Sequence, residues 1–542
     1  MPTLPHPSEN EPAFSSTTAS GRCRPSNLMV LSLVVTGLIP RLALAYATFL
    51  NPDEALHYLL SAQSSLRLAY QASLSTAHPP LLILFLYYWR VVGHSEFLLR
   101  LPSVLAGTGF CCMTFFWLKR VAGAETALTA LILLLFSPSL ILLSAEIRQY
   151  SLLLFFVSSS LYFLERFFER DSLSMLLLSF AALDLALLTH YSSLIFALCA
   201  GGYAVLRFRR TRVRLRLLGA WMGGQLSALG LVALLFRAHV SALRASGMPE
   251  IIGDTYLRTS LFHPGRDHWL TFVVSSTIRY FHYLFAQGAI GVLGLFFFLA
   301  GIWLLLSGAK GLPINLKSAG PRTVGVLLLS PFVVNCGLAL MGIYPYGGTR
   351  HNSILSGFAL SGVAIGLTCW QVAGRWLKPG IVIVLAICNL FPAPTGPYIQ
   401  PRNQTRGLMH DAIEFVRNSI PQNSMIVTDN GGGLLLTYYL CDQDHYQPTV
   451  RTFVTLQCAD HRIITPEPQF QDRLLASLQS PAAEMYGLSP GVEVWMFEAG
   501  WITAGRKHDA QQEIRRLKCA SPRQFGSNIL VCKTVLGDKG EN

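Results

Sequence analysis

Residues 51–80 read NPDEALHYLLSAQSSLRLAYQASLSTAHPP and set Asp53, Glu54, His57, Arg67 and His78 between two strongly apolar stretches. Ionisable groups held against a membrane are costly and persist there for binding or chemistry. Two adjacent carboxylates followed by a histidine on one helical face suit general-base work, in which a carboxylate takes the proton of an attacking hydroxyl. Asp53 follows a proline and precedes an amphipathic helix, so a helix N-cap is its ordinary alternative. Glu54 and His57 stand at i,i+3, the spacing of a hydrogen-bonded pair; a divalent metal between them is less favoured, because no third ligand is evident.

A base of this kind works beside groups that hold an anion. Downstream turns offer His78, Arg148, His190, Arg350 and His351, with Tyr150 two residues beyond Arg148. Arginine binds phosphate oxygens in pairs and stays charged at any relevant pH. The ordinary alternative for each cation is snorkelling towards the interface or pairing with anionic lipid. Arg41, inside the first apolar run, is expected to pair with a carboxylate within a bundle.

The elements that must position these groups follow from composition. The 542 residues are 52% hydrophobic and 13% charged, against about 25% charge in soluble chains; the mean hydropathy is +0.43. This is a polytopic membrane protein. Apolar runs of spanning length are expected at 28–49, 98–118, 124–143, 149–164, 173–189, 191–206, 217–236, 287–307, 323–343, 352–372 and 379–393. Residues 1–26, polar and rich in Pro and Ser, read as a disordered cytoplasmic leader. The net charge of +13 comes from Lys and Arg clustered between apolar runs, including six arginines from Arg207 to Arg216. That distribution marks the cytoplasmic loops and argues against nucleic acid. The site candidates gather on the opposite face, together with two shorter apolar stretches, 79–92 and 269–285, which read as helices lying in the interface.

After PAPTGP at 392–397 the composition becomes that of a soluble domain with alternating strands and helices, a small α/β layer over 396–542. The glycines Gly431, Gly432 and Gly433 follow a strand and read as a tight turn, a phosphate cradle lacking its surrounding fingerprint. Cys441, Cys458, Cys519 and Cys532 allow two disulfides in three connectivities.

The order NPDEALHY, HPPL, SEFLLRLPSVLAG, SAEIRQYSLL, THYSSL and YPYGGTRHN resembles the C-type (GT-C) polyprenyl-phosphate-sugar-dependent glycosyltransferases. The likeness covers about 28–395 and is strongest to the bacterial relatives of protein O-mannosyltransferases and lipid A aminoarabinose transferases. It implies a helical membrane bundle (27–395) with a periplasmic first loop (50–97), in the bacterial inner membrane, its site facing the periplasm. It further implies an inverting transfer from a polyprenyl-phosphate-linked sugar to a glycan, lipid or protein hydroxyl, with no cofactor firmly implied. Asp53 matches the catalytic acid and Glu54 the second acidic position. His78 stands near the lipid phosphate, Arg148 matches the arginine of the E-x-R-x-Y turn, and Arg350-His351 the late basic pair. The soluble tail departs from the mannosyltransferases and leaves the acceptor open.

Two other classes compete with this reading. A transporter or flippase of a lipid-linked anion binds near the midplane on broken, repeated helices, whereas here the charges collect on one face and no inverted repeat is evident. A membrane-anchored scaffold would leave the clustered Asp, His and Arg without a purpose.

Overall fold

The computed structural model describes residues 26–210, 214–241, 243, 257–285, 287–308, 319–369, 377–390, 405–441, 453–458, 460–466, 481–499, 519–526 and 529–536. The expected leader before Ser26, the boundary at 395/396 and the segments 467–480 and 500–518 of the expected α/β layer lie outside the described residues.

The first part of the chain is helical: α1 (Asn27–Ala47), α2 (Pro52–Ser61), α3 (Leu66–Ser73), α4 (Leu81–Trp89), α5 (Glu96–Val121), α6 (Ala124–Phe136), α7 (Pro138–Ser144), α8 (Gln149–Arg170), α9 (Leu173–Leu187), α10 (Ser193–Phe208) and α11 (Leu215–Leu235). Among the described residues seven helices are long and apolar enough to cross a membrane: α1, α5, α8, Leu215–Val240, Gly288–Ser307, Pro321–Leu340 and Arg350–Cys369. The runs expected at 173–189 and 191–206 form the shorter apolar helices α9 and α10. The last expected span is the 14-residue helix Leu377–Leu390. The stretch 79–92 holds only the nine-residue α4, and 269–285 is one helix, Trp269–Phe285, burying Phe272, Ser276, Tyr280 and Phe281.

The run 124–143, expected as one span, is instead two helices bent by 62°. Pro138 opens α7 and has no N–H to offer the Leu134 carbonyl one turn back, so the ladder stops there. Arg41 fills the gap. Its guanidinium donates to the Leu134 carbonyl (3.3 Å), the Leu135 carbonyl (2.7 Å), the Gly37 carbonyl (2.6 Å) and Ser144 Oγ (3.3 Å). The expected carboxylate partner is therefore replaced by the open C-terminal carbonyls of α6, where a cation is favoured by the helix dipole. Glycines let these helices close in: a Cβ on Gly107 of α5 would lie 2.0 Å from Ser144 Oγ of α7.

The C-terminal part is a six-stranded sheet in the order β2-β3-β1-β4-β6-β5, with β1 Met425–Thr428, β2 Phe453–Cys458, β3 His461–Pro466, β4 Glu493–Glu498, β5 Ala520–Phe525 and β6 Ile529–Val535. The central β1 runs parallel to β3 and β4, and the outer pairs are antiparallel. Gly431, Gly432 and Gly433 do not form the expected turn; they begin helix Asn430–Tyr439, capped by Asp429, whose side chain accepts the Gly432 N–H at 2.6 Å. A side chain at Gly432 would collide with Thr428 Oγ1, 2.0 Å from its Cβ position, so close packing on β1 is what requires glycine. Cys441 bonds Cys458 and Cys519 bonds Cys532, one of the three open connectivities.

The sheet part and the first loop share one hydrophobic core: Tyr58 and Leu59 of α2 and Leu82 and Leu86 of α4 pack with Leu435, Ile426 and Phe497. The loop that holds the first carboxylates is thus covered by the domain at the far end of the chain.

Candidate active site

The segment NPDE builds a helix start from its own residues. Asn51 is the N-cap of α2, accepting the Glu54 N–H at 3.0 Å, while Glu54 Oε2 accepts the Asn51 N–H at 2.9 Å. Pro52 takes the first helical position, where its missing N–H costs nothing. This capping box presents Asp53 on the first turn.

Asp53 meets two arginines from distant elements. Arg148 Nη1 lies 2.9 Å from Asp53 Oδ2, and Arg350 Nη2 lies 2.8 Å from the same oxygen. Arg148 is the residue before α8; Arg350 opens the 3-10 turn Arg350–Leu355 that leads into helix Ser356–Cys369. Burial alone would raise the Asp53 carboxyl, but Arg148 and then Arg350 outweigh it and hold the group far below the usual carboxylate range. Asp53 remains 27% exposed at its side chain, whereas Arg148 is 5% exposed, and the buried Arg148 Nε has no hydrogen-bond partner among the described residues.

Glu54 is placed differently. Its carboxylate is fully buried and bidentate to Arg100 of α5, with Arg100 Nε to Oε1 and Nη2 to Oε2 both at 2.7 Å. Oε1 also accepts the Ile147 N–H at 2.9 Å. Both oxygens are thus engaged from four donors, away from solvent. This corrects two expectations: Glu54 is buried and is not an open second carboxylate, and Arg100, Asn51 and Ile147 hold it where a pair with His57 is expected. Its contacts hold the start of α2 and the residue preceding Arg148. His57 instead donates from Nδ1 to the Asp53 carbonyl one turn back. Burial, then the nearby Arg148, lowers its pKa to about 4, so the imidazole is neutral at neutral pH. Among the described residues, no group of three or more His, Cys, Asp and Glu is placed to hold a metal ion.

Beside the ion cluster three histidines surround one phenol ring. His78 stacks on His190 at 5.0 Å between centroids. Tyr150 lies 5.3 Å from His190, 6.4 Å from His78 and 6.1 Å from His351. Arg148 sits 5.7 Å over the same Tyr150 ring. His190 Nδ1 accepts the Ser192 N–H at 3.1 Å, which leaves the ring proton on Nε2. That atom is buried with no hydrogen-bond partner among the described residues. Burial, then Arg148, lowers His190 to about 3, and burial with His190 and Arg148 keeps His78 well below its ordinary value. All the expected site residues except Glu54 therefore converge on one locus: Asp53, His57, His78, Arg148, Tyr150, His190, Arg350 and His351. At neutral pH the locus carries two arginine charges against one carboxylate, with neutral imidazole donors alongside, and so suits a singly charged anion.

Sequence reasoning missed the groups behind these. Arg100 lies inside the SEFLLRLPSVLAG motif, yet nothing in its spacing points to Glu54. His239 ends α11 in a π-turn, Phe236–Val240. There its Nε2 donates to the Thr76 carbonyl at 2.6 Å and its Nδ1 meets the Tyr191 hydroxyl at 2.6 Å. It clamps the loops that carry His78 and His190. A π-turn leaves no sequence periodicity by which to find it.

Residues 77–236 match the family model described as dolichyl-phosphate-mannose-protein mannosyltransferase. No curated protein matches the chain significantly. The crystal structure of ArnT from Cupriavidus metallidurans in the apo state is similar at TM-score 0.52 and 12% identity, covering 94% of this chain and 98% of that one. The structure of the same protein bound to undecaprenyl phosphate is similar at TM-score 0.51 and 12% identity, again covering 94% and 98%. The chain has a GT-C-like fold, a multi-pass helical membrane bundle with a small C-terminal sheet region.

Proposed function

We propose that the chain transfers a sugar from a polyprenyl-phosphate donor to a hydroxyl acceptor, inverting the anomeric centre, with Asp53 as the base. The observation that carries this reading is the convergence of Arg148 and Arg350 on one oxygen of Asp53, next to the unpartnered donors Arg148 Nε and His190 Nε2. A phosphodiester oxygen is the chemistry those donors fit. The fold shared with a protein solved with undecaprenyl phosphate supports the donor class.

In the reaction the acceptor oxygen attacks the anomeric carbon as its proton passes to Asp53. The bond from that carbon to the phosphate oxygen breaks, and its electron pair stays on the departing polyprenyl phosphate. Arg148, Arg350 and the neutral imidazoles of His78, His190 and His351 stabilise that charge by hydrogen bonds directed where it develops. Before the donor arrives, both arginines quench Asp53 and make it a poor base. A phosphate oxygen competes for the same guanidinium donors, so donor binding itself raises the basicity of Asp53. Glu54 acts by holding α2 and the Ile147–Arg148 turn. The acceptor is a glycan, lipid or protein hydroxyl, and the site faces the periplasm of a bacterial inner membrane. In this reading 1–26 is a leader, 27–395 the catalytic bundle and 396–542 the periplasmic domain that covers it. The site's own charges, Asp53, Arg148 and Arg350, sit at helix starts, which argues against the transporter or flippase alternative, whose site would lie near the midplane.

The test is turnover of a panel of radiolabelled polyprenyl-phosphate sugars by purified protein, wild type beside Asp53→Asn. Release of sugar that falls by about 10²–10⁴ in the variant, the range of a positioned base, is the expected result. Binding of no polyprenyl phosphate at all would overturn the reading.

A further inference from the structure

The loop that carries Asp53 is fastened from outside the bundle. Leu50 is fully buried and directly precedes Asn51, the N-cap of α2. Its N–H donates at 2.9 Å to the hydroxyl of Tyr439, the last residue of helix Asn430–Tyr439 in the sheet domain. That hydroxyl in turn donates to Glu96 Oε1 at 3.1 Å, and Arg406 of the same domain lies 3.3 Å from Glu96 Oε2. Burial, then Glu96, keeps the Tyr439 phenol well above its ordinary pKa, so it remains a hydroxyl. The neighbouring Tyr438 bonds elsewhere: its hydroxyl donates to the His94 carbonyl at 2.6 Å, and its ring meets Tyr58 edge-on at 5.2 Å.

We infer that Tyr439 is a positioning residue for catalysis: its hydroxyl anchors the residue before the N-cap of α2 and thereby sets Asp53 against Arg148 and Arg350. Without that acceptor the Leu50 N–H is buried and unpaired, and the first turn of α2 shifts to find water or another partner. Displacement of a base by about 1 Å is enough to cost up to 10²-fold in rate. The donor-binding histidines stand on other turns and are untouched. The sheet domain is thus part of the catalytic apparatus, and not only a cover or an acceptor platform. This inference rests on the reading of Asp53 as the acceptor base.

Tyr439→Phe keeps the ring and the packing and removes only the hydroxyl; Tyr438→Phe is the matched control. The expected result for Tyr439→Phe is a transfer kcat at least tenfold lower, donor KM within twofold of wild type, and faster hydrogen exchange in the peptide that contains Leu50. Tyr438→Phe should leave all three near wild type. Wild-type kcat in Tyr439→Phe overturns the inference. So does an equal loss in both variants with donor KM rising in step, because that pattern is a general loosening of the domain interface. If the wild type neither turns over nor binds a donor, the transferase reading fails on its own, and exchange at Leu50 still decides the anchor: unchanged exchange in Tyr439→Phe overturns it.

Discussion

Asp53 and Glu54 are neighbours in sequence, and the structure predicts opposite signatures when each is made neutral. Four donors point at the buried Glu54 carboxylate: Arg100 Nε and Nη2 at 2.7 Å, and the Asn51 and Ile147 N–H groups at 2.9 Å. Glu54→Gln keeps the shape, but its NH2 must face one pair of those donors. Two hydrogen bonds are lost whichever way the amide turns, and the fully buried Arg100 charge is left uncompensated. Breaking a buried pair by removing one partner costs about 3–5 kcal/mol, which is a fall in melting midpoint on the order of 10 °C. Asp53→Asn, at a site 27% exposed to solvent, is expected to move the midpoint much less while lowering transfer by about 10²–10⁴. The assay is thermal melting in detergent beside turnover measured well below either midpoint. A second comparison isolates the pair: Glu54→Gln with Arg100→Met should be less destabilised than Glu54→Gln alone, because the stranded cation is gone. If Glu54→Gln melts like wild type but loses transfer with unchanged donor KM, Glu54 is a group of the chemistry and the assignment made here is wrong.

Two further expectations come from other parts of the molecule. Arg41→Met removes the donors that serve the Leu134 and Leu135 carbonyls at the break between α6 and α7. Orphaned buried carbonyls cost about 1–3 kcal/mol each, so melting should fall clearly, with Arg41→Lys recovering part of it; a midpoint unchanged in both variants would refute the capping role. His57 and His190 have folded pKa values lowered to about 4 and about 3, below the unfolded value of about 6.5. The unfolded chain therefore binds protons first, and stability present near neutral pH is lost as the pH falls below about 6.5. At pH 5 each histidine costs about 2 kcal/mol, so a pH series of melting curves should drop over that window and flatten in His57→Gln or His190→Gln.

Much of the site was legible because its residues are exceptions to their surroundings. Charged and imidazole groups stand out in an otherwise apolar chain, and on that ground alone Asp53, Arg148, Arg350 and the three histidines are site candidates. What spacing does not carry is the direction of a side chain. Asp53 and Glu54 differ by one residue, about 100° around a helix, and that rotation sends one carboxylate to the open arginine pair and the other into the core against Arg100. The same limit applies to Arg41, for which residue type alone suggests a carboxylate partner. A guanidinium is equally served by helix-end carbonyls, and those became available only because Pro138 breaks a run that hydropathy reads as continuous. The glycines at 431–433 read as a turn because glycine usually marks one; here a tight approach to β1 sets the requirement, and that approach exists only once the sheet is assembled. The soluble domain is the deepest case. Its composition separates it cleanly from the bundle, and separation in composition suggests independence in function. Yet one apolar core runs from Tyr58 to Phe497, and one phenol oxygen ties residue 439 to residue 50. A contact between residues nearly 400 apart leaves no local pattern, so the dependence of the catalytic helix on the far end of the chain emerges only from the fold.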